Sequence, residues 1–469
     1  MLRALLIVLP IFVGVALAGP ALAAAPPLPD TPAAAVAGEW IDAVNSGDRT
    51  RLEAFKERYR RKAPVEGLLE LRANTGGFDI VRVEHSRPTT IRLLISERGG
   101  DGLARLEATI EPGKPESLKL GVELIERPAD LAITRLDARG LARALDQRID
   151  AAVAADTFSG RVLVMQDGKT LYERSAGLAD REARTPVTAD TQFRLGSMNK
   201  MFTAVAILQF VDAGKLGLDT PVGEILVDYP NRDVAAKVRI RHLLTHSGGT
   251  GDIFGPEFER KRLELKTHAD YLRLYGKRGL DFEPGSQQRY SNYGFVLLGA
   301  IIEKLSGASY YEHVQAKVFT PAGMRDTASP PETDDLPRRA KGYLREGDQW
   351  VSNVDTLPWR GTAAGGGLST SADLARFADA LMDGTLLSKR LLGQATTTQA
   401  PDGGYGFGFG VAGNDSFRRF GHGGGAPGMN GELTVVPASR TVIAALANLD
   451  PPAASRMAEY ALNRVPAAD

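Results

Sequence analysis

The 469-residue sequence contains no cysteine. That absence excludes disulfides, a thiol nucleophile, a cysteine zinc site and a lipid-modified cysteine, and it leaves core packing to stabilise the chain. An excess of charge is also missing. Lys+Arg and Asp+Glu each number 57, so no global field draws in nucleic acid or acidic partners. Past the N-terminus no apolar run is long enough to span a bilayer, and there is no internal repeat. What is present is 43% hydrophobic and 24% charged residues, the balance of a globular protein. The length exceeds one ordinary core and predicts two domains.

The first residues have the grammar of an export signal. Arg3 precedes an apolar run from Ala4 to Ala18, broken by Pro10 and Gly14, and Ala21-Leu22-Ala23 supplies a small-residue cleavage site. Residues 1–23 are therefore expected to be removed, leaving a periplasmic or secreted protein with no stable membrane span. A Pro/Ala-rich linker occupies 24–32.

Residues 33–128 read as a small α+β domain. Val36, Trp40, Ile41 and Val44 share one helical face, and Leu52, Phe55 and Tyr59 another; a third short helix is expected over Val65–Arg72. Four strand patterns follow. In the first, the adjacent pair Ile80-Val81 breaks the alternation; then Ile91, Leu93 and Ile95, Leu106, Ala108 and Ile110, and Leu118 to Leu124 alternate cleanly. The layout resembles the cone-shaped nuclear-transport-factor-2-like fold. His85 stands alone there, and no catalytic constellation accompanies it, so an accessory role in packing, oligomerisation or substrate contact is expected.

The chemistry is expected in residues 135–469. A helix over Leu141–Ala155 and a hairpin turning at Asp167-Gly168 precede the central stretch, Phe193 to Leu208. There Gly196 permits a tight turn and Ser197 opens a helix apolar on nearly every face, capped by Gly214. Ser197 and Lys200, three apart, share a face. Burial lowers a lysine pKa by penalising its charged form, which suits Lys200 to act as a base on the Ser197 hydroxyl. The plain alternative is a helix cap followed by a snorkelling lysine.

Two further stretches carry chemistry-bearing side chains. Tyr290-Ser291-Asn292 leads into an apolar helix capped by Gly307, setting a phenol and an amide two residues apart; a tyrosine near a buried lysine can have its phenolate favoured and can shuttle protons to and from a serine, the plain alternative being a helix cap with a structural tyrosine. In Phe420-Gly421-His422-Gly423-Gly424-Gly425, the glycines let the backbone approach a ligand closely and aim N–H groups at it, as a cleft wall; the plain alternative is a mobile glycine loop with an incidental histidine. A strand should follow from Gly431 to Pro437, another from Thr441 to Asn448, and a helix from Ala453 to Arg464.

Taken in order, Ser197-Met-Asn-Lys200, Tyr290-Ser-Asn292 and His422-Gly-Gly424 resemble the serine β-lactamase and D-alanyl-D-alanine carboxypeptidase superfamily. The likeness is greatest to its class C-related branch of esterases and D-amino-acid peptidases (peptidase family S12 type). Arg241 to Gly249 and Gly365 to Thr370 support the match. The resemblance implies an α/β sandwich, an antiparallel sheet flanked by helices with a helical subdomain. It makes Ser197 the acylated nucleophile, Lys200 and Tyr290 the proton-transfer pair, and Asn292 a support for Lys200 and for a substrate amide. Gly424 and Gly425 would face the substrate, with the Gly425 N–H joining that of Ser197 at an oxyanion. His422 stands where penicillin-recognising relatives carry lysine. A histidine is mostly neutral near pH 7, which weakens the case for β-lactam hydrolysis and favours ester or peptide substrates.

Other readings are weaker. His242 and His246 lie four apart on an expected helix, but the glutamate of H-E-x-x-H is missing, so no metal is expected. No organic cofactor is expected either. The glycine run 403–410 is not followed by G-K-[ST] and should line the cleft; Trp359-Arg360 falls in a loop of the pocket or packs conventionally. The expected function is an exported serine hydrolase acting on esters, amides or D-amino-acid peptides. The rival is a non-catalytic cell-wall peptide-binding protein on the same fold.

Overall fold

The computed structural model describes residues 26–59, 62, 64–347, 349–413 and 417–467. The export signal read at residues 1–23 lies outside them. The chain divides into two compact units after Leu131.

The first unit comprises α1 (Pro32–Ser46), α2 (Arg49–Arg58), α3 (Val65–Thr75), β1 (Phe78–Arg87), β2 (Thr90–Glu97), β3 (Leu103–Glu111) and β4 (Lys114–Ile125). Thr31 caps α1 by accepting the Ala34 N–H, and Gly47 ends it in the left-handed region at φ 63°. The strands pair antiparallel in sequence order. Val36, Trp40 and Val44 of α1 bury against Leu93, Leu106 and Ala108 of the sheet. The β1–β2 register slips between Ile80 and Arg82, because neighbouring Ile80 and Val81 would otherwise face opposite sides. His85 is exposed on β1.

The second unit opens with α4 (Ala138–Ala154), β5 (Gly160–Gln166) and β6 (Lys169–Ala176), then α5 (Asn199–Asp212). A helical region follows with α6 (Ile240–Leu244), α7 (Pro256–Lys261), α8 (His268–Tyr275) and α9 (Asn292–Ser306). The chain returns through α10 (Ser371–Met382), β7 (Gly410–Ala412), β8 (Arg419–Ala426), β9 (Met429–Val436), β10 (Thr441–Ala447) and α11 (Ala453–Arg464). Six strands form one sheet in the order β7-β8-β9-β10-β5-β6, antiparallel throughout. Asp167 and Gly168 both adopt positive φ, 50° and 72°, in the β5–β6 turn, the handedness that matches strand twist.

Alternation of side chains builds a core on each side of this sheet. Val162, Val164, Ile443 and Ala445 meet Leu141 and Leu145 of α4 and Met457 of α11. Leu163, Val442, Ala444 and Leu446 turn the other way, into the larger cluster with α5 and α9. Helix α5 is enclosed on all sides: every residue from Asn199 to Leu208 is buried. The fold is a mixed α/β sandwich with an antiparallel sheet flanked by helices. Among the described residues, no helix is long and apolar enough to cross a membrane.

Candidate active site

Ser197 sits in a single 3-10 turn, Gly196–Met198, immediately before α5 rather than inside its first turn. The turn is held between two glycine-rich segments. Gly366 donates to the Gly196 carbonyl at 3.1 Å and Leu195 donates to the Gly367 carbonyl at 3.0 Å. Gly196 has φ 54°, which favours glycine on conformational grounds. A side-chain carbon there would also lie 3.2 Å from the Gly425 nitrogen.

The glycine run after His422 is not a mobile loop, the plain alternative, but the end of strand β8: it pairs with β9, whereas β7 pairs only with Arg419 to Gly421. Its glycines allow close approach instead of flexibility. A Cβ on Gly424 would fall 1.9 Å from the Leu195 carbonyl oxygen, so only glycine lets this strand lie against the Ser197 turn. The arrangement brings the backbone at Gly425 beside Gly196-Ser197.

Lys200 is fully buried, with its amine 3.3 Å from Ser197 Oγ. It donates to Asn292 Oδ1 at 2.7 Å and to the Ala364 carbonyl. Burial pulls its pKa down to about 7, opposed only by the negative charge of Asp252. A neutral amine has two N–H groups, and Asn292 and Ala364 take both. The lone pair is then left for the Ser197 hydroxyl.

Tyr290 lies just before the N-cap of α9, Ser291, which accepts the Gly294 N–H. Ser197 lies close enough to its hydroxyl to favour the phenolate, and Lys200 Nζ lies 4.6 Å from its ring centroid. The residue keeps 42% of its surface exposed, yet desolvation of the phenol end pushes its pKa up to about 12, outweighing the effect of Ser197. The phenolate that a neighbouring lysine can favour is therefore corrected: near neutral pH Tyr290 is a phenol, because loss of solvent penalises the anion more than its neighbours favour it.

Asn292 begins α9 and is oriented from behind. Its Nδ2 donates to Asp252 Oδ2 at 3.2 Å, and its backbone N–H to Asp252 Oδ1 at 3.1 Å. With Nδ2 so engaged, the amide oxygen faces Lys200.

His422 is likewise locked. Its Nδ1–H donates to the Gly423 carbonyl, and Nε2 accepts from the Tyr405 hydroxyl at 2.9 Å. Burial lowers its pKa to about 4, assisted by the charge of Lys200, so it is neutral and its acceptor is occupied. The run 403–410 contributes through Tyr405, one of the cavity-lining residues beside Tyr290 and His422.

The stretch from Arg241 supplies more than a structural wall. His246 lies beyond the end of α6 at φ 58°, so His242 and His246 do not share a helix face. Instead the His246 ring packs on Tyr290 with centroids 4.2 Å apart, and Nδ1 accepts the Ser291 N–H at 3.1 Å. Burial holds its pKa well below the ordinary histidine value. Among the described residues, no group of three or more His, Asp or Glu is placed to hold a metal ion. Arg360 lines the cavity on Ser197, whereas Trp359 packs under Lys266. Sequence reasoning missed Asp252, His246 in this role, and Tyr405; the Asp252–Asn292 contact spans 40 positions and leaves no local pattern.

Chemically, the site pairs a hydroxyl with a buried amine whose pKa lies near neutrality, adds an uncharged phenol, and brings backbone N–H groups alongside. Comparison with known proteins agrees with that chemistry. The family described as Beta-lactamase matches residues 145–467. Penicillin-binding protein 4* of Bacillus subtilis (strain 168) is 32% identical over 298 residues, 58% of this chain and 64% of that protein. Esterase EstB of Burkholderia gladioli is 38% identical over 205 residues, 41% of this chain and 52% of the esterase. The chain thus spans between half and two thirds of these relatives' length. The crystal structure of a penicillin binding protein from Bacillus halodurans superposes with a TM-score of 0.60 at 31% identity, covering 66% of this chain and 97% of that one.

Proposed function

The chain belongs to the beta-lactamase family of serine hydrolases, and on that premise we propose that it hydrolyses esters, amides or D-amino-acid peptides through an acyl-enzyme on Ser197. The observation that carries the reading is the fully buried amine of Lys200, its pKa lowered to about 7, at 3.3 Å from Ser197 Oγ.

The Ser197 proton passes to Lys200 as Oγ bonds to the substrate carbonyl carbon. Lys200 is the base because Tyr290, with its pKa near 12, holds its proton too tightly to start the reaction. The carbonyl oxygen takes up negative charge and is met by the N–H groups of Ser197 and Gly425, a preorganised pair that needs no reorientation. Collapse of the tetrahedral adduct breaks the bond to the leaving oxygen or nitrogen. That atom takes a proton relayed from Lys200 through the Tyr290 hydroxyl. Water then attacks the ester on Ser197 by the reverse relay and frees the acid. With His422 neutral and its Nε2 occupied by Tyr405, this position offers a carboxylate no cation where penicillin-recognising relatives carry lysine, which supports only weak β-lactam turnover.

Residues 1–23 act, in this reading, as an export signal cleaved after Ala23, and residues 33–128 as an accessory domain. N-terminal mass mapping of the exported protein tests the first point. Pre-steady-state kinetics test the mechanism: a p-nitrophenyl ester should give a burst of one product equivalent per active site when deacylation is slow. A signal linear from the first turnover, with no acyl species trapped on acid quench, contradicts it.

A further inference from the structure

A cavity of about 490 Å³ opens directly on Ser197, and its wall includes Ile253, Phe254, Phe258, Leu357 and Met429. Phe254 and Phe258 meet edge to face with centroids 5.1 Å apart; Phe258 is buried, while Phe254 is 61% exposed. Tyr290 is not among the residues lining this cavity. It lines a separate one of about 340 Å³ with Tyr405 and His422. If Tyr290 returns the proton to the leaving atom, the leaving group departs on the Tyr290 side. The other substituent of the scissile carbonyl, the acyl chain, then lies in the apolar cavity.

Both arginines on that wall are held by neighbouring groups. Arg194 grips Glu332 through Nε and through Nη2 at 2.9 Å, and gives Nη1 to the Ala340 carbonyl. Arg360 stacks its guanidinium 3.4 Å from the Tyr311 ring centroid and donates Nε to the Ser329 carbonyl. Glu332 is itself paired with Arg194 and Arg339, so what opposes a carboxylate on the acyl chain is the cost of desolvating it against this largely apolar wall. We propose that the cavity beside Ser197 is an acyl pocket selecting neutral, aliphatic or aryl acyl groups against acyl groups that bear a carboxylate. The proposal rests on the acyl-enzyme reading above and narrows it to apolar carboxylic esters.

The test holds the leaving group constant and varies the acyl chain. p-Nitrophenyl acetate, butyrate and hexanoate are compared with the mono-p-nitrophenyl ester of adipic acid, which places a carboxylate at the end of a chain of hexanoate length. Full burial is worth roughly fourfold per methylene, so kcat/KM should rise at least about tenfold from acetate to hexanoate. The adipate ester should fall at least about tenfold below hexanoate. Phe254→Ala, a change at an exposed position that leaves the fold little to lose, should lower the hexanoate-to-acetate ratio about threefold or more. A flat or falling series with Ser197 acylated, or adipate equal to hexanoate, overturns the acyl pocket while leaving the mechanism standing. Turnover without any acyl group on Ser197 overturns both.

Discussion

Asp252 makes no contact with Ser197, yet replacing it with asparagine should cripple the site. Its two oxygens accept three N–H groups: Oδ1 takes those of Ile253 at 2.6 Å and Asn292 at 3.1 Å, and Oδ2 takes Asn292 Nδ2 at 3.2 Å. An asparagine has a single acceptor oxygen. If that oxygen serves the backbone donors, its amide nitrogen faces the amide nitrogen of Asn292. Asn292 must then turn over and present N–H to Lys200 in place of the oxygen now at 2.7 Å. An unsatisfied buried donor costs about 1–3 kcal/mol, and the loss is felt most when Lys200 is protonated in the transition state. The expected fall in kcat/KM is about 5- to 150-fold.

The pH profile separates this effect from simple misfolding. The neutral amine is the active form, so the wild-type activity falls as pH drops through the Lys200 pKa, near 7. His422, held near 4, contributes no second limb in that region. Asp252 raises the Lys200 pKa; Asp252→Asn should therefore move the acid limb to lower pH while lowering the plateau. Initial rates with p-nitrophenyl acetate across pH 5–9, with circular dichroism as the folding control, provide the measurement. An unchanged plateau with an unmoved limb refutes the orienting role.

Other substitutions probe the remaining parts. Tyr290→Phe should slow acylation by about 10²–10⁴-fold while keeping the Lys200 limb, measured by stopped-flow release of p-nitrophenol. Gly424→Ala sets a methyl 1.9 Å from the Leu195 carbonyl; the forced shift should cost about 1–3 kcal/mol in urea unfolding and at least about tenfold in kcat/KM. Tyr405→Phe keeps the ring but removes the donor to His422 Nε2. It should cost about 1 kcal/mol of stability and mix the His422 tautomers seen by nitrogen NMR.

How much of this was legible in the sequence depends on the range of each contact. Ser197 and Lys200 sit three apart on a chain segment apolar on every side, so both their juxtaposition and the lysine's discharge follow from local spacing and burial. The strands of the large sheet were legible through alternation, as in Val162 to Val164 and Ile443 to Ala445. The β8 glycines were not, because a run without side chains has no alternation; what makes it a strand is pairing with β9, and what demands glycine at 424 is close approach to Leu195, more than 200 positions away. His242 and His246 looked like one helix face until the left-handed turn at His246 swung the second ring onto Tyr290. The phenolate expected at Tyr290 failed because the same burial that discharges Lys200 also holds the phenol's proton. Asp252 and Tyr405 act entirely through partners brought together by the fold.

The acyl-enzyme on Ser197 is tested most directly by peptide mass spectrometry after brief acid-quenched reaction with p-nitrophenyl acetate, alongside Ser197→Ala. One acetyl group on the peptide carrying Ser197, absent from a folded and inactive mutant, is the predicted result. Acetylation elsewhere, or a mutant with wild-type turnover, contradicts the account.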